Sequence, residues 1–339
     1  MASTYRFSAV RATCGCKPRK PIIGHSPSRT ARAGIRKAPS GKCTKNKAMK
    51  NILVPTDFSK CSKYAVDAAV LLAKRFGAKV HLLNSLDLPP YWSSLPEQEK
   101  SKWATVSKAT DEARKGLEQL KAGYPGAHLE LATSADSLPR AVEKYVSEKG
   151  IDIIVMGSHG ASGKSEFFIG SNTQKVIRTV HCPALVLKQP LKSADFKKVI
   201  FASSFNKPEM KPFLFFKNLI KHFIPEIHLV AIHTSAFDPP FPFKLEAMKP
   251  FEQACRPLVC HSHIYKDLSV DNGIRSFANE IGADLIAISN YERRPLKRML
   301  VGSNVEALVN HSDLPVLTVD FSPVQSSVLF SPSVRQSAV

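Results

Sequence analysis

The sequence lacks any uncharged apolar run approaching the roughly 20 residues that a bilayer-spanning helix needs, which excludes a helical integral membrane protein. It also lacks a sustained heptad and a collagen-like repeat. Its seven cysteines are odd in number and scattered, which argues against a disulfide-stapled secreted scaffold. No apolar segment follows the first basic residues, as a secretory signal would require. A reducing compartment, the cytoplasm, is therefore the expectation. Acidic residues are missing altogether from Met1 to Ala48, a stretch that holds 12 Lys and Arg. This absence accounts for most of the formal charge of +20, because the remaining 291 residues carry 36 basic against 28 acidic side chains. The basic balance thus belongs to a leader and says little about the folded body.

Residues 1–48 have no hydrophobic periodicity and too little apolar surface to offset their ordering entropy, so they are expected to be disordered. Three readings of this leader stay open. It is a non-structural extension upstream of a start at Met49, an organelle transit peptide with the Ser- and Arg-rich, acid-free composition of that class, or a nucleic-acid-binding arm. Cys14 and Cys16 form a lone C-x-C without a matching pair, weak grounds for zinc. Residues 322–339 are rich in Ser, Val and Pro and read as a loose tail.

What is present is an alternation of strands and helices. Ile52–Val54 is an apolar run, followed after Thr56–Ser59 by Ala65, Ala68, Ala69 and Leu72 at helical spacing. Gly77 stands where a helix C-cap belongs. Val80–Leu83 reads as a strand, Glu97–Lys121 as a charged helix, His128–Leu131 as a strand and Leu138–Lys149 as a helix. Ile151–Met156 is nearly continuously apolar, as a strand covered on both faces should be. A helix over Ser171–Val180 and a strand over Ala184–Leu187 complete the unit. The design then repeats. Lys197–Phe201 mirrors Lys50–Val54, Ile227–Ala231 mirrors the second strand, and Asp284–Ser289 mirrors Asp152–Gly157. Gly302–Asn304 mirrors Gly170–Asn172, and His311–Leu317 mirrors Val180–Leu185. The pattern predicts two tandem, open, mostly parallel five-stranded α/β sandwiches, a first domain over 49–190 and a second over 191–321.

The chemical signal follows the fourth strand. Gly157-Ser158-His159-Gly160, nine further residues and Gly170-Ser171 spell G-x2-G-x9-G-S. The first glycines fall where a parallel strand ends, and Gly170 opens a helix. Ligands of open α/β sheets bind at carboxyl strand ends, and a helix N-terminus offers amide donors and a positive dipole to phosphate. Lys164 lies between the glycines, and His159 is a candidate phosphate contact. Other motifs fail. Gly163-Lys164-Ser165 would end a Walker A loop only with Gly at position 158, which is Ser. No G-x-G-x-x-G follows the first strand and no G-x-S-x-G elbow occurs.

With Asn51–Ser59, Met156–Gly160, Gly170-Ser171 and the Cys-Pro-Ala-Leu-Val-Leu strand from Cys182 in view, the chain resembles the universal stress protein family in its tandem form, over about Met49 to Val319. The resemblance implies an adenine-nucleotide α-hydrolase-like fold and an ATP site, with or without Mg. It implies that adenine and ribose lie over Pro55, Thr56 and Asp57 and near Ser85. It places the phosphates on Gly157, Ser158, His159, Gly160 and Gly163, and on Gly170, Ser171, Asn172 and Thr173. Asn172 replaces a small apolar residue of the family pattern. Asp57 also has a second reading as a helix cap. The resemblance further implies that the last strands, Ala184–Leu187 and Val316–Val319, pair across the modules.

The second module departs from the motif. Ala202 and Ser204 stand for Pro55 and Asp57, and Ser289 and Glu292 for Gly157 and Gly160. A carboxylate repels phosphate, so this module reads as a degenerate partner, and Arg293, Arg294, Lys297 and Arg298 as a solvated basic loop. Cys260-His261-Ser262-His263 holds only a two-His half-site on one strand face, with nothing in the motif to complete it. Phe213, Phe215, Phe216 and Phe223 read as core packing. The expected function is that of an ATP-binding, nucleotide-dependent regulator of the stress response. A slow ATP hydrolase or autophosphorylating enzyme of the same fold is the alternative, and a nucleic-acid role through the leader a third. No pair of general base and electrophile is recognisable, so no catalytic residue and no metal ligand is assigned. The expected partners are an adenine nucleotide and a second copy of the chain in a homo-oligomer, without a membrane and without nucleic acid.

Overall fold

The computed structural model describes residues 49–88, 92, 95–100, 104–159, 170–193, 195–235, 238–289 and 304–319. The leader, the tail, Gly160, Gly163, Lys164 and the 290–303 segment with Glu292 and its four basic residues lie outside them. The first half runs β1 (Asn51–Pro55), α1 (Lys60–Phe76), β2 (Lys79–Ser85), α2 (Glu97–Lys100), α3 (Ala104–Ala122), β3 (Leu129–Ser134), α4 (Leu138–Lys149), β4 (Ile153–Gly157), α5 (Ser171–Thr179) and β5 (Ala184–Leu187). The second runs β6 (Lys198–Ala202), α6 (Met210–Ile220), β7 (Glu226–His233), α7 (Phe241–Cys255), β8 (Cys260–Lys266), α8 (Val270–Ile281), β9 (Leu285–Ser289), α9 (Asn304–His311) and β10 (Val316–Val319).

Local chemistry sets the boundaries. The Ser59 side chain caps α1 by accepting from Ser62 N at 3.2 Å, and Gly77 closes it at φ 64° with its N–H on Ala73 O. A residue with a Cβ pays for that left-handed conformation, and glycine does not. Lys74 and Arg75 in the last turn complement the helix dipole. The third strand runs on to Ser134, because Asn84 and Ser85 of β2 pair with Thr133 and Ser134. Its polar end does not read as a strand in the sequence.

The ten strands form one sheet in the order β3-β2-β1-β4-β5-β10-β9-β6-β7-β8. Every pairing is parallel except that of β5 with β10, which is antiparallel, with Leu185 opposite Leu317 and Val186 opposite Val316. Each half repeats the order 3-2-1-4-5, and the seam satisfies the edge that each four-residue last strand would otherwise expose. One face carries α1, α3, α6 and α7 over Ile52, Val155, Leu185, Phe201 and Leu317. The other carries α4, α5, α8 and α9 over Leu53, Ile154, Val186, Ile286 and Val316. Both core layers therefore continue across the seam. Phe213 and Phe216 are fully buried, with Phe201 at ring-centroid distances of 5.0 and 5.2 Å. Phe215 and Phe223 pack against the same layer.

Candidate functional site

In each half the chain reverses its winding direction between the first and fourth strands. In the first half that point lies between β1 and β4, and the carboxyl ends of open α/β sheets bind ligands there. Of the residues singled out in the sequence, Pro55 ends β1, Thr56 and Asp57 follow it, Ser85 ends β2, Gly157, Ser158 and His159 end and follow β4, and Gly170, Ser171, Asn172 and Thr173 open α5, while Gly160 and Gly163 lie outside the described residues.

The turn after β1 is held from below. Buried Thr56 donates its hydroxyl to Ser62 Oγ at 3.1 Å and accepts from Phe58 N at 3.2 Å. Asn84, also buried, donates to Thr56 O at 2.8 Å. Phe58 is thereby kept at φ 63°, a region that costs a bulky residue about 1–2 kcal/mol. Its ring rests on Gly116, where a Cβ would come within 2.8 Å of it. Buried Pro55 precedes the turn, and Asp57 stands exposed at its tip. Asp57 Oδ1 accepts from Ser59 N at 3.1 Å. The α1 cap is Ser59, so the helix-cap reading of Asp57 does not hold. Ser85 ends β2 and donates its hydroxyl to Asp136 O at 2.6 Å, tying β2 to the loop before α4.

The end of β4 is packed tightly. A Cβ on Gly157 would lie 2.8 Å from the carbonyl carbon and oxygen of Cys61, so only glycine lets β4 approach the first turn of α1 this closely. Ser158 is buried, its Oγ 2.7 Å from His159 Nδ1. Thr173 is buried and donates to Gly157 O at 2.8 Å. Gly170 N donates to Ser158 O at 2.7 Å. The two flanks of the glycine motif are thus joined, and α5 starts beside the end of β4. Gly170 caps α5 without a side-chain bond, and no acidic residue sits in the first turn. Ser171 and Asn172 are exposed there. The first amides of a helix have no intrahelical acceptor, and here the dipole's positive end faces the strand reversal.

Cys61 belongs to this place although nothing in the sequence marks it, because its contact with Gly157 spans two elements. Burial pushes its thiol up, against a hydrogen bond with the His159 backbone that pulls it down.

The second half keeps the turn with different residues. Phe205 adopts φ 58°, with Ser203 Oγ accepting from its N–H at 2.8 Å, which repeats Phe58 on Thr56. At the end of β7, Lys244 donates to Ile232 O at 2.8 Å and to Asp238 Oδ2 at 3.3 Å. The Thr234 amide, with Lys244, holds the Asp238 carboxyl below its usual range. His261 and His263 are joined by His228, whose Nδ1 lies 3.1 Å from His263 Nε2, while His261 Nε2 lies 3.0 Å from Glu226. Among the described residues no group of three or more His, Cys, Asp or Glu is arranged to hold a metal ion. No described helix is long and apolar enough to cross a membrane. A groove of about 550 Å³ beside Lys50, Lys74, Lys79 and His128 lies at the opposite, amino-terminal edge of β1 and β2. Glu130 at 2.6 Å already offsets Lys79 there.

Comparison with known proteins agrees with this architecture. The model of the universal stress protein family matches residues 49–188 and 253–320, more than half of the chain. A universal stress protein of Methanocaldococcus jannaschii is 31% identical over 146 residues, 42% of this chain and 84% of that protein. The crystal structure of a universal stress protein from Archaeoglobus fulgidus, 21% identical, superposes with a TM-score of 0.58 over 81% of this chain and 97% of that one. A functionally unknown protein of Pseudomonas aeruginosa, 17% identical, superposes with a TM-score of 0.52 over 80% and 93%. The chain belongs to the universal stress protein family. The gap between the two matched regions spans β6, α6 and β7, where Ala202 and Ser204 replace Pro55 and Asp57.

Proposed function

We propose that this universal stress protein binds one adenine nucleotide, ATP, at the carboxyl ends of β1 and β4, and acts as a nucleotide-dependent regulator in the stress response. The observation that carries the reading is the Gly170–Ser158 hydrogen bond at 2.7 Å, which sets the start of α5 beside the strand reversal. The donor set suits the ligand. Backbone amides at a helix start and the Ser171 hydroxyl match phosphate, and the exposed Asp57 carboxylate matches ribose hydroxyls. In this reading Pro55, Thr56, Asp57 and the end of β2 at Ser85 take the nucleoside. The segment from Gly157 to Gly163, with Ser171, Asn172 and Thr173, takes the phosphates, and any magnesium arrives on them. Residues 49–190 form the binding domain and residues 191–321 its degenerate partner.

Binding is favoured over turnover because the motif holds no recognisable pair of general base and electrophile. Native mass spectrometry after incubation with ATP tests the proposal. One nucleotide mass per chain is expected, and a bare chain contradicts it.

A further inference from the structure

Away from the nucleotide end, two cysteines meet at the outer margin of the second half. Cys255 is the last residue of α7 and Cys260 the first of β8. Their sulfurs are 2.7 Å apart. Cys255 is fully buried, and Cys260 is partly exposed on the last strand of the sheet. Both are held in place from outside the pair. Lys217 of α6 donates to the carbonyls on either side of Cys255, Ala254 O and Arg256 O, each at 2.6 Å. Cys260 is fixed in register opposite Ile227 of β7, and Ile227 N donates to Val259 O at 2.9 Å. Leu258 N closes the connection onto Cys255 O at 3.0 Å. The other two described cysteines have no such neighbour: Cys182 is buried beneath Ile151 O, and Cys61 lies against Gly157.

We propose that Cys255 and Cys260 form a reversible intramolecular disulfide, a redox modification site that staples the end of α7 to the outermost strand. The chemistry balances with a peroxide as oxidant. One thiol gives up its proton and its sulfur attacks one peroxide oxygen, the O–O bond breaks, and the departing hydroxide takes that proton and leaves as water while the sulfur becomes a sulfenic acid. The second sulfur then attacks the first, the S–O bond breaks, the S–S bond forms and a second water departs. Two thiols lose two hydrogens and hydrogen peroxide is reduced to two waters. A dithiol reverses the state by exchange. The contact with Cys255, together with burial, pushes the Cys260 thiol up. Cys260 is therefore not an activated thiolate, and the reaction calls for sustained oxidant rather than a brief pulse.

The sequence supplies a clean readout. Lys249 and Arg256 each precede proline and resist trypsin, so both cysteines fall in one tryptic peptide, Leu245–Lys266. The full chain is reduced, exposed to hydrogen peroxide, alkylated under denaturing conditions and digested. The expected peptide is lighter by two hydrogens and carries no alkyl group; after dithiothreitol it takes up two. In Cys260→Ser the light form disappears and Cys255 alone is alkylated. The wild-type result stands even if that variant fails to fold. A wild-type peptide that keeps both alkyl groups after peroxide overturns the proposal, as does one oxidised to a sulfinic acid without losing two hydrogens.

Discussion

Arg178 of α5 and Glu306 of α9 form a forked ion pair across the seam of the sheet, Arg178 Nη2 donating to Glu306 Oε2 at 2.7 Å and Arg178 Nε to Oε1. Gln174, one turn earlier on α5, donates to the same carboxylate at 2.7 Å. Glu306 is buried. The second half thus grips the helix whose first turn faces the proposed phosphate position. Arg75 of α1 likewise pairs with Asp195 at 2.8 Å and lies over the Phe223 ring.

Residues 49–190 expressed alone lose all of these partners and expose Ala184–Leu187 as a sheet edge. We expect that fragment to dimerise or aggregate, because a flat apolar edge templates further pairing. Analytical ultracentrifugation is the check. A stable monomer at high concentration, together with two independent melting transitions in the full chain, would contradict the seam's structural role.

His81 gives a pH signature. It is 2% exposed, with Nδ1 3.1 Å from the Tyr145 hydroxyl and Nε2 3.3 Å from Asn51 Oδ1. Burial holds its pKa below the usual 6.5, and Glu130 offsets part of that effect. The unfolded chain therefore binds the proton more readily than the folded one. The contribution is complete above about pH 6.5 and is lost as pH falls below it. Melting temperatures taken from about pH 7.5 to 5.5 should fall more steeply for wild type than for His81→Gln. Parallel slopes would show that His81 titrates alike in both states.

Gly157→Ala tests the close approach of β4 to α1. Overpacking at a rigid site costs roughly 1–3 kcal/mol, and the added carbon must displace Cys61 backbone at 2.8 Å. A lower melting temperature and a weakened nucleotide affinity are expected together. A variant with wild-type melting would mean that the approach is not needed.

Much of this was legible in the chain. The apolar runs at Ile52–Val54 and Ile151–Met156 place central strands, and the repeat places the second half on the same plan. The G-x2-G-x9-G-S spacing points to the edge where β4 meets α5. The rest depends on contacts between residues far apart in sequence. Nothing in the sequence marks Glu306, whose partner Arg178 lies 128 residues earlier. His261 and His263 read as half a metal site until the β7–β8 register sets His228 opposite His261. Phe58 and Phe205 occupy equivalent repeat positions, but nothing in a phenylalanine announces a positive φ. Asp57 and Ser59 are both good capping residues, and only geometry assigns the cap to Ser59.

The proposed single ATP site lies in the first half, since the second half has Ser289 and Glu292 in the sequence positions of Gly157 and Gly160. Isothermal titration calorimetry of ATP into the full chain tests it most directly. The expected stoichiometry is one, and Gly160→Glu, which adds a carboxylate to the glycine motif, is expected to lose about tenfold or more in affinity. Two equivalent sites per chain, or unchanged affinity in that variant, would contradict it.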